Sequence, residues 1–484
     1  MPTTVPLSRR PHGAGRSPGG TAPDEAVPTT VPLSRRPHGA GGVSGVPASF
    51  YIETYGCQMN AADAQLMAGV LLRDGFAPAA SPEAADVVIV NTCAVRDHAE
   101  QRVMGRVGEL KRSKRPGDIL GVVGCMAQRL GERLLERAPH VDFVAGPDGY
   151  RALPQLVRRA RDGERAVETA LRPAEHYEDI VPVRETAASA FVTVQRGCDY
   201  RCTFCIVPMT RGPERSRRLP DVVREVTQLA ERGVTEVTLL GQTVNSYCDG
   251  ARDFADLLRA VGAVAGIRRV RFTSPHPNDF SERVVAAMAE VEAVCEHVHL
   301  PAQSGSTPVL RRMVRRYTRE EYLRVVERLR AAIPGLALTT DLIVGFPGET
   351  DADFDATLGL VAEVGFDDAF TFRFSPRDGT PATRLPGAVP EKVAAERLER
   401  LIVEVRRLAR ARNAGLVGTT HEILVEQVAR RGSLLQGRTR QHRVAMVDGP
   451  PEWLGTYRTV RFTGTTGATF SAVPVDADRE AVGV

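Results

Sequence analysis

Short apolar segments alternate with amphipathic segments from residue 49 onward, and this alternation limits the possible folds more than any other feature. Apolar strand cores separated by helices are typical of parallel sheets that are covered on both faces, so the fold class is α/β. The sequence predicts an N-terminal α/β domain over 49–165, followed by a linker at 166–188. Three of the predicted strands of this domain lie at 49–56, 85–91 and 118–124.

The alternation resumes at residue 191 and gives six further strand–helix units. Six such units predict a partial barrel of the TIM kind, (βα)6, within a domain at 189–415. A charged helix at about 391–414 closes this domain. The predicted barrel strands lie at 191–197, 235–241, 268–274, 296–301, 336–346 and 368–375.

The final segment, 418–480, contains short strand-like runs separated by Gly, Asp and Pro. This pattern predicts a small all-β barrel of OB-like size.

The first 48 residues differ in composition from the rest of the chain. They are rich in Pro, Gly, Ser and Arg, and PTTVPLSRRPHGAG occurs twice, at 2–15 and 28–41. Such a segment buries too little apolar surface to offset the entropy lost on ordering, so we expect a disordered tail. The tail carries five arginines against two acids, which leaves the remainder of the chain nearly neutral. Net charge therefore makes no general case for a nucleic-acid partner.

No apolar run is long enough for a membrane span, and the N-terminus lacks the apolar core of a signal peptide. We therefore expect a cytoplasmic protein with no membrane association.

Three cysteines lie within eight positions in RGCDYRCTFCIVP (196–208): Cys198, Cys202 and Cys205. They follow the first barrel strand, at the end where such barrels place their chemistry. Clustered thiolates favour zinc or an iron–sulfur cluster, and a structural zinc site would need a fourth ligand, commonly in a second C-x2-C pair that is absent here. The alternative of three buried thiols that act only as small apolar groups suits so tight a cluster poorly. The pattern predicts a [4Fe–4S] cluster in which one iron has no protein ligand.

Three more cysteines, Cys57, Cys93 and Cys125, each follow the carboxyl end of a predicted parallel strand. Ligands of open α/β sheets bind beyond that edge, so thiols far apart in sequence can meet there. We predict a second cluster with an open iron; the alternative is three unrelated core cysteines. Cys248 and Cys295 match neither set.

The run from Cys198 to Cys205, with Phe204 before the last thiol, resembles the signature of radical S-adenosylmethionine (SAM) enzymes. Together with the second cysteine set and a terminal barrel similar to a TRAM domain, the chain resembles the MiaB-type methylthiotransferases over nearly all of its length beyond the tail. The motifs that carry this resemblance are YGCQMN (55–60), NTCAVRDHAE (91–100), GCDYRCTFCIVPMTRGPERSR (197–217), GQTVNSY (241–247), HLPAQSGS (299–306), RRYT (315–318) and TDLIVGFPGET (340–350).

The resemblance implies transfer of a methylthio group to adenine C2 of N6-isopentenyl-adenosine beside the tRNA anticodon, at tRNA position 37. It implies two [4Fe–4S] clusters, with SAM bound at the Cys198, Cys202 and Cys205 cluster as the source of a 5′-deoxyadenosyl radical. The other cluster would carry the sulfur that is methylated and transferred. The implied partners are the tRNA anticodon stem-loop and an electron donor of the flavodoxin or ferredoxin type, with the enzyme acting as a monomer.

Polar residues at the barrel strand ends are further site candidates, although each could equally cap or brace a turn. We assign Gln242, Ser274 and Gln303 to cofactor binding and regard Asn245, His276 and Asp341 as additional candidates. The glycine-containing segment GFPGE (345–349) could approach the cofactor through its backbone or form a simple turn.

The case for RNA binding rests on ARRGSLLQGRTRQHR (429–443), which has five arginines and no acid. Basic grooves on small β-barrels bind single strands electrostatically, whereas a solvated charged face is the alternative.

Three other functions stay open at this point. The same chemistry could act on an aspartate of a ribosomal protein or on threonylcarbamoyl-adenosine in tRNA, although GQTVNSY favours isopentenyl-adenosine. A non-catalytic metal-bearing RNA-binding protein would instead hold zinc.

Overall fold

The computed structural model describes residues 48–94, 97–184, 188–429 and 432–475. The disordered tail predicted over 1–48 therefore lies outside the described residues, apart from Ala48.

The described chain forms an N-terminal α/β domain, a partial barrel and a small closed barrel. The strands are β1 (Ser49–Thr54), β2 (Ala77–Pro78), β3 (Val87–Thr92), β4 (Ile119–Gly124), β5 (Phe143–Ala145), β6 (Ala166–Glu168), β7 (Ser189–Thr193), β8 (Gln195–Arg196), β9 (Arg215–Ser216), β10 (Glu236–Leu240), β11 (Cys248–Asp249), β12 (Arg252–Asp253), β13 (Arg269–Phe272), β14 (His297–His299), β15 (Ala337–Val344), β16 (Asp368–Arg373), β17 (Thr420–Val428), β18 (Leu435–Thr439), β19 (Val444–Val447), β20 (Tyr457–Thr465) and β21 (Thr469–Pro474). The α-helices are α1 (Gln58–Arg73), α2 (Asp97–Ser113), α3 (Cys125–Leu130), α4 (Glu132–Arg137), α5 (Leu153–Arg161), α6 (Val207–Arg211), α7 (Leu219–Glu231), α8 (Phe254–Gly262), α9 (Glu282–Glu290), α10 (Thr307–Arg312), α11 (Arg319–Ala332), α12 (Asp351–Val364) and α13 (Glu391–Ala414).

The N-terminal sheet has the strand order β2-β1-β3-β4-β5-β6, and every pairing is parallel. Successive residues of β3 enter different cores: Val87 and Ile89 pack with α1 and α5, whereas Val88 and Val90 pack with α2, α3 and α4. Side chains alternate across a strand, so a strand covered on both faces is apolar throughout. The predicted doubly covered parallel sheet is confirmed.

The N-terminal domain extends beyond its predicted boundary at residue 165. Strand β6 pairs with β5 inside the predicted linker, and Tyr177 and Ile180 pack into the same core as α1. Three residues of strand are too few to give a periodic signal, which explains why the sequence indicated a linker there.

The partial barrel consists of two parallel three-stranded sheets, β13-β10-β7 and β14-β15-β16. A parallel bridge between Val270 and Val294 joins their edges, so the six strands form one curved wall. Helix α13 packs against β16 over the residues that the sequence predicted. The predicted six-stranded partial barrel is confirmed.

The C-terminal segment forms a closed barrel in the order β17-β18-β19-β21-β20, which confirms the predicted small β-barrel. It covers the amino ends of the partial-barrel strands. Arg269, at the start of β13, donates to the carbonyl oxygen of Arg438 over 2.9 Å, and Arg440 pairs with Glu296 just before β14 over 2.7 Å. The carboxyl ends of the strands lie at the opposite end of the partial barrel, where α1 of the N-terminal domain contacts β7.

Across the described residues, no helix combines the length and the apolar character needed to cross a bilayer.

Candidate active site at the domain interface

The first cysteine set lies at the carboxyl edge of the N-terminal sheet. Cys57 precedes α1, Cys93 directly follows β3, and Cys125 is the first residue of α3 after β4. Strands β1, β3 and β4 are neighbours in the sheet, so three positions far apart in sequence meet at one edge. Cys57 is exposed, whereas Cys93 and Cys125 are buried.

Two fully buried asparagines fix the geometry of this edge. The side-chain nitrogen of Asn60 donates to Oδ1 of Asn91 over 3.2 Å, and Asn91 Nδ2 donates back to the carbonyl oxygen of Asn60 over 2.8 Å. Cys57 Sγ donates to Asn60 Oδ1 over 3.4 Å. These contacts tie the start of α1 to the end of β3 and so hold Cys57 beside Cys93.

Gly124 allows the chain to enter α3 next to Cys93. Its φ of +95° is unfavourable for other residues, and a Cβ atom here would lie 2.5 Å from the carbonyl oxygen of Thr92. The glycine thus lets the ends of β3 and β4 approach closely, which places Cys125 at the site.

The second cysteine set lies in the loop between β8 and α6, at the carboxyl end of the partial barrel. Gln242 Oε1 accepts a 2.6 Å hydrogen bond from the backbone N–H of Gly197, and Thr243 Oγ1 lies 3.1 Å from Cys198 Sγ. At the other end of the loop, Thr203 N donates to the carbonyl oxygen of Met313 over 3.0 Å. Contacts from two separate barrel segments therefore hold the loop.

The protonation of the thiols reflects their burial. Burial raises the pKa of Cys205 to about 12 and also raises the pKa values of Cys198 and Cys125. A hydrogen bond from Cys93 lowers the pKa of the exposed Cys57 to about 6, with help from the charge of Arg211. Thiolates at the buried positions need a positive partner, because burial alone disfavours the charged form.

Each cysteine set receives a hydrogen bond from one buried arginine. Arg211 Nε donates to Cys125 Sγ over 3.3 Å, and Arg315 Nη1 donates to Cys202 Sγ over 3.4 Å. Their exposed fractions are 4% and 7%. Hydrogen bonds to the sulfurs are among the means by which proteins tune iron–sulfur clusters, so the thiols and guanidinium groups fit such a group.

Two further observations bear on whether these residues suit an iron–sulfur cluster. Arg211 Nη1 is buried beside the first cysteine set and has no hydrogen-bond partner among the described residues, so it is available to an anionic group there. Within the same part of the chain, no three His, Cys, Asp or Glu side chains surround a point suited to one metal ion.

The two cysteine sets face each other across the domain interface. Ile206, which follows Cys205, packs with Ala94, which follows Cys93, and with Cys125. Asp63 on α1, fully buried, pairs with Arg196 over 3.0 Å and with Arg211 over 2.8 Å. This buried ion network joins the N-terminal domain to the partial barrel at the site.

Two of the strand-end candidates support loops. Gln242 holds Gly197, as described above, and the side chain of Asn245 makes two hydrogen bonds to the backbone of His276, of 2.7 and 2.9 Å. Ser274 and Gln303 adopt positive φ values of 59° and 67° without being glycine. Backbone strain of this kind concentrates at functional sites. Cofactor binding by Gln242, Ser274 and Gln303 stays a prediction.

His276 lies in the same strand-end region and carries an unused donor. Its ring stacks on Tyr200 at 3.8 Å between centroids. Its Nδ1 accepts from the backbone N–H of Asn278 over 3.3 Å, and its buried Nε2 has no partner among the described residues. Burial, assisted by two arginine charges, lowers the pKa of His276 to about 2, so the ring is neutral.

The GFPGE segment and Asp341 have local partners. Glu349 accepts a 3.0 Å hydrogen bond from the backbone N–H of Gly345 and pairs with Arg397 over 2.7 Å, which favours the simple turn. Asp341 lies 3.3 Å from His299 Nε2.

The prediction that 429–443 forms a basic RNA-binding groove is wrong for the three arginines of this segment that the structure describes. Arg438 pairs with Glu426, Arg440 with Glu296 over 2.7 Å, and Arg443 with Asp367 over 2.8 Å. The segment lacks acids of its own, but these partners come from other parts of the fold. Its remaining two arginines, at 430 and 431, lie outside the described residues.

Sequence reasoning missed Arg211 and Arg315, which contact thiols, and Asp63, which pairs with Arg211. The chain contains sixty arginines, and a buried one carries no distinctive pattern in sequence. The motif RRYT contains Arg315 and the motif TRGPERSR contains Arg211, but neither motif indicated a role for its arginine.

Comparisons with known proteins agree with this geometry. Residues 49–146 match the model described as uncharacterized protein family UPF0004, and residues 192–361 match the radical SAM superfamily. In fold, the chain is similar to the radical SAM methyltransferase TsrM from Kitasatospora setae, with a TM-score of 0.54, 16% identity and coverage of 70% of this chain and 74% of that one.

Sequence relatives cover more of the chain. The tRNA-2-methylthio-N(6)-dimethylallyladenosine synthase of Anaeromyxobacter sp. (strain K) is 46% identical over 97% of this chain and 99% of its own length. The protein of that name from Geobacter sulfurreducens is 46% identical over 85% of this chain and 94% of its own length.

The radical SAM domain and the cysteine-bearing barrel loop together define a radical SAM enzyme, a class that uses SAM and a [4Fe–4S] cluster. The relatives narrow this class to the methylthiotransferases. The chain belongs to the tRNA-2-methylthio-N(6)-dimethylallyladenosine synthase family.

Proposed function

We propose that this chain transfers a methylthio group to adenine C2 of N6-isopentenyl-adenosine at position 37 of tRNA, giving 2-methylthio-N6-isopentenyl-adenosine. The names of its relatives support the tRNA substrate and the dimethylallyl group. The observation that carries the proposal is the position of the two cysteine sets, which face each other across Ile206 and Ala94. A transferase that joins sulfur to an unactivated carbon needs a sulfur source and a radical source side by side.

In this proposal each cysteine set holds one [4Fe–4S] cluster. Cys198, Cys202 and Cys205 hold the cluster that binds SAM, and Cys57, Cys93 and Cys125 hold the second. When bound, these groups would supply the radical that activates the adenine C–H bond and the sulfur that is transferred.

The surrounding residues bury, orient and electrostatically support these groups. Ile206 and Ala94 form an apolar wall between the sets and limit the access of water. Thr243 is within hydrogen-bond distance of Cys198, and Arg211 and Arg315 provide positive charge at Cys125 and Cys202. Positive charge next to buried sulfur stabilises the thiolate form that iron requires.

The substrate would enter from the carboxyl end of the partial barrel, opposite the C-terminal barrel. An anticodon loop is single-stranded, so its bases can reach a buried site at a low unstacking cost. We further propose that residues 418–480 form a TRAM domain that contacts tRNA through a surface other than the paired arginines of 438–443. A flavodoxin- or ferredoxin-type electron donor, a monomeric state and a cytoplasmic location complete the proposal.

Nucleoside analysis of tRNA from cells that lack this chain tests the substrate. We expect loss of 2-methylthio-N6-isopentenyl-adenosine and accumulation of N6-isopentenyl-adenosine. A plasmid that encodes the wild-type chain or Cys248→Ala should restore the mark, because Cys248 is exposed and belongs to neither set. Cys93→Ala should not restore it.

An unchanged amount of 2-methylthio-N6-isopentenyl-adenosine in the deletion strain would refute the substrate assignment. Loss of the methylthio group from threonylcarbamoyl-adenosine, or from a ribosomal-protein aspartate, would show that the same reaction acts on that substrate. Anaerobic metal analysis tests the class of protein: two four-iron clusters support the proposal, whereas zinc without iron would favour a non-catalytic metal-bearing RNA-binding protein.

A further inference from the structure

Arg315 is a buried cation in contact with a proposed cluster ligand. It follows α10 and is 7% exposed. Among the described residues, its hydrogen bonds go to Cys202 Sγ over 3.4 Å, to the Tyr317 hydroxyl over 3.1 Å and to the carbonyl oxygen of Pro301 over 3.4 Å. A guanidinium group stays charged in proteins, so the positive charge cannot be removed by deprotonation.

None of these partners is a carboxylate, and no ion pair among the described residues includes Arg315. The carboxylate of Asp279 interacts with Arg315 electrostatically, without a hydrogen bond or ion pair between them among the described residues. Burying a charge without a directly paired counter-charge costs several kcal/mol. The sulfur of Cys202 is thus the one partner in hydrogen-bond contact that becomes anionic when it binds iron.

The other cysteine set shows the contrasting arrangement. Arg211, which contacts Cys125, is also paired with the buried carboxylate of Asp63 over 2.8 Å. Asp63 is shared with Arg196, so its carboxylate compensates the charge of Arg211 only in part. Arg315 makes no ion pair among the described residues, so the two sets differ in whether a carboxylate is paired with the guanidinium group that contacts the thiol.

The backbone around Arg315 is strained in a way that serves this contact. Val314 and Arg316, on either side, have φ values of 56° and 59°. Positive φ is a genuine outlier for a β-branched residue such as Val314. The same segment accepts hydrogen bonds from Thr203 in the cysteine loop, through the carbonyl oxygens of Met313 and Arg312. The fold thus holds Arg315 and Cys202 in a fixed relation.

We propose that Arg315 is the fixed counter-charge of the cluster at Cys198, Cys202 and Cys205, and that its hydrogen bond to Cys202 raises the reduction potential of that cluster. The inference rests on the proposed function, because it requires a cluster at these thiols. Reduction adds one negative charge to a buried cluster, and a nearby cation with an N–H···S bond stabilises the reduced form more than the oxidised form. Arg315 is accordingly a positioning and tuning residue.

The test uses the full chain with Cys57, Cys93 and Cys125 all replaced by Ala, so that one cluster contributes the signal. After anaerobic reconstitution with iron and sulfide, the midpoint potential of the cluster is measured by redox titration followed by electron paramagnetic resonance, without SAM and with it. The variants are Arg315→Gln, which removes the charge, and Arg315→Lys, which keeps it. Arg311→Gln is the matched control, since Arg311 lies on the same segment with an exposed side chain.

We expect Arg315→Gln to shift the reduction equilibrium toward the oxidised form at least tenfold, which is about 59 mV more negative for one electron. Arg315→Lys should shift it less, and Arg311→Gln should not shift it. Thermal unfolding of the cluster-free chain supplies a second readout: Arg315→Gln should be no less stable than the parent, because it removes a buried charge that has no ion-pair partner among the described residues.

Two results would overturn the inference, and a third would refute the proposed function on which it rests. An unchanged midpoint in Arg315→Gln, with a cluster still bound, would mean that Arg315 only supports the loop. A midpoint that changes only when SAM is present would assign the guanidinium to SAM rather than to the cluster. Failure of the parent with Cys198, Cys202 and Cys205 intact to bind any cluster would instead refute the proposed function itself.

Discussion

Replacing Asp63 with Asn should loosen the interface between the N-terminal domain and the partial barrel. Asp63 is fully buried on α1 and accepts from Arg196 over 3.0 Å, from Arg211 over 2.8 Å and from the Tyr150 hydroxyl over 3.3 Å. The amide has nearly the same shape as the carboxylate but carries no charge. The substitution therefore leaves two buried guanidinium groups without their anion.

The size of the effect follows from these contacts. Removing one partner of a buried ion pair costs about 3–5 kcal/mol, since the remaining charge stays buried and unpaired. That is a large share of the roughly 5–15 kcal/mol that stabilises a typical domain. For comparison, the exposed pair between Arg159 and Glu164, with side chains 45% and 57% exposed, should contribute at most about 1 kcal/mol.

Amide hydrogen exchange read by mass spectrometry measures the opening free energy of α1 directly. We expect faster exchange in α1 peptides of Asp63→Asn, no such change in Glu164→Gln, and unchanged exchange in β19 of the C-terminal barrel. The double variant Asp63→Asn/Arg196→Met should be less destabilised than the sum of its single changes by about 0.5–3 kcal/mol. If α1 exchanges alike in Asp63→Asn and Glu164→Gln, the buried network does not hold the interface.

Three further predictions concern other parts of the molecule. Burial lowers the pKa values of His297 and His442 well below the usual 6.5, so the unfolded chain binds more protons below pH 6.5 and stability should fall there by about 1.4 kcal/mol per pH unit for each histidine. The urea midpoint of His442→Asn should depend less on pH between 7.5 and 5.5 than that of the wild type; equal dependence would contradict this. Arg440→Gln should leave the salt dependence of tRNA binding unchanged in filter-binding assays, because Arg440 is paired with Glu296, and a shallower slope would show a phosphate contact instead. Gly124→Ala should reduce iron retained after reconstitution toward half, because the new Cβ would lie 2.5 Å from a backbone carbonyl oxygen, and full iron content would refute the role of the close approach.

The regular elements of the fold could be predicted because their signals are local. Helix α13 matches the predicted range 391–414, and the first four residues of β3, VVIV, are all apolar because both faces of the strand are covered. The strand-like runs that predicted the C-terminal barrel were HEILVEQ, LLQGRT, HRVAMVD and YRTVRFTGTT. Strand β21 is not among them, because TFSAVP gives only a weak alternation. The convergence of Cys57, Cys93 and Cys125 followed from topology, because carboxyl ends of parallel strands share one edge.

Charges were much harder to assign from sequence than thiols. A cysteine beside a strand end has few partners to choose from, whereas each arginine can pair with any acid that the fold brings near. The segment 429–443 illustrates the difficulty: it has no acid of its own, yet Glu296 and Asp367 neutralise two of its arginines across the domain boundary. Local charge patterns therefore predict an RNA surface only where no other domain covers them.

The same long-range pairing makes the two cysteine sets depend on each other. The cation that contacts Cys125 is Arg211, which belongs to the partial barrel, and the carboxylate that orients Arg211 is Asp63, which belongs to the N-terminal domain. Burial raises the pKa of Cys125 and the charge of Arg211 lowers it, so the partial barrel favours the thiolate that iron requires. Docking of the partial barrel supplies the missing positive charge and, through Ile206, the apolar wall of the site. The first cysteine set, Cys57, Cys93 and Cys125, therefore depends on contacts between the domains as much as on the cysteines themselves.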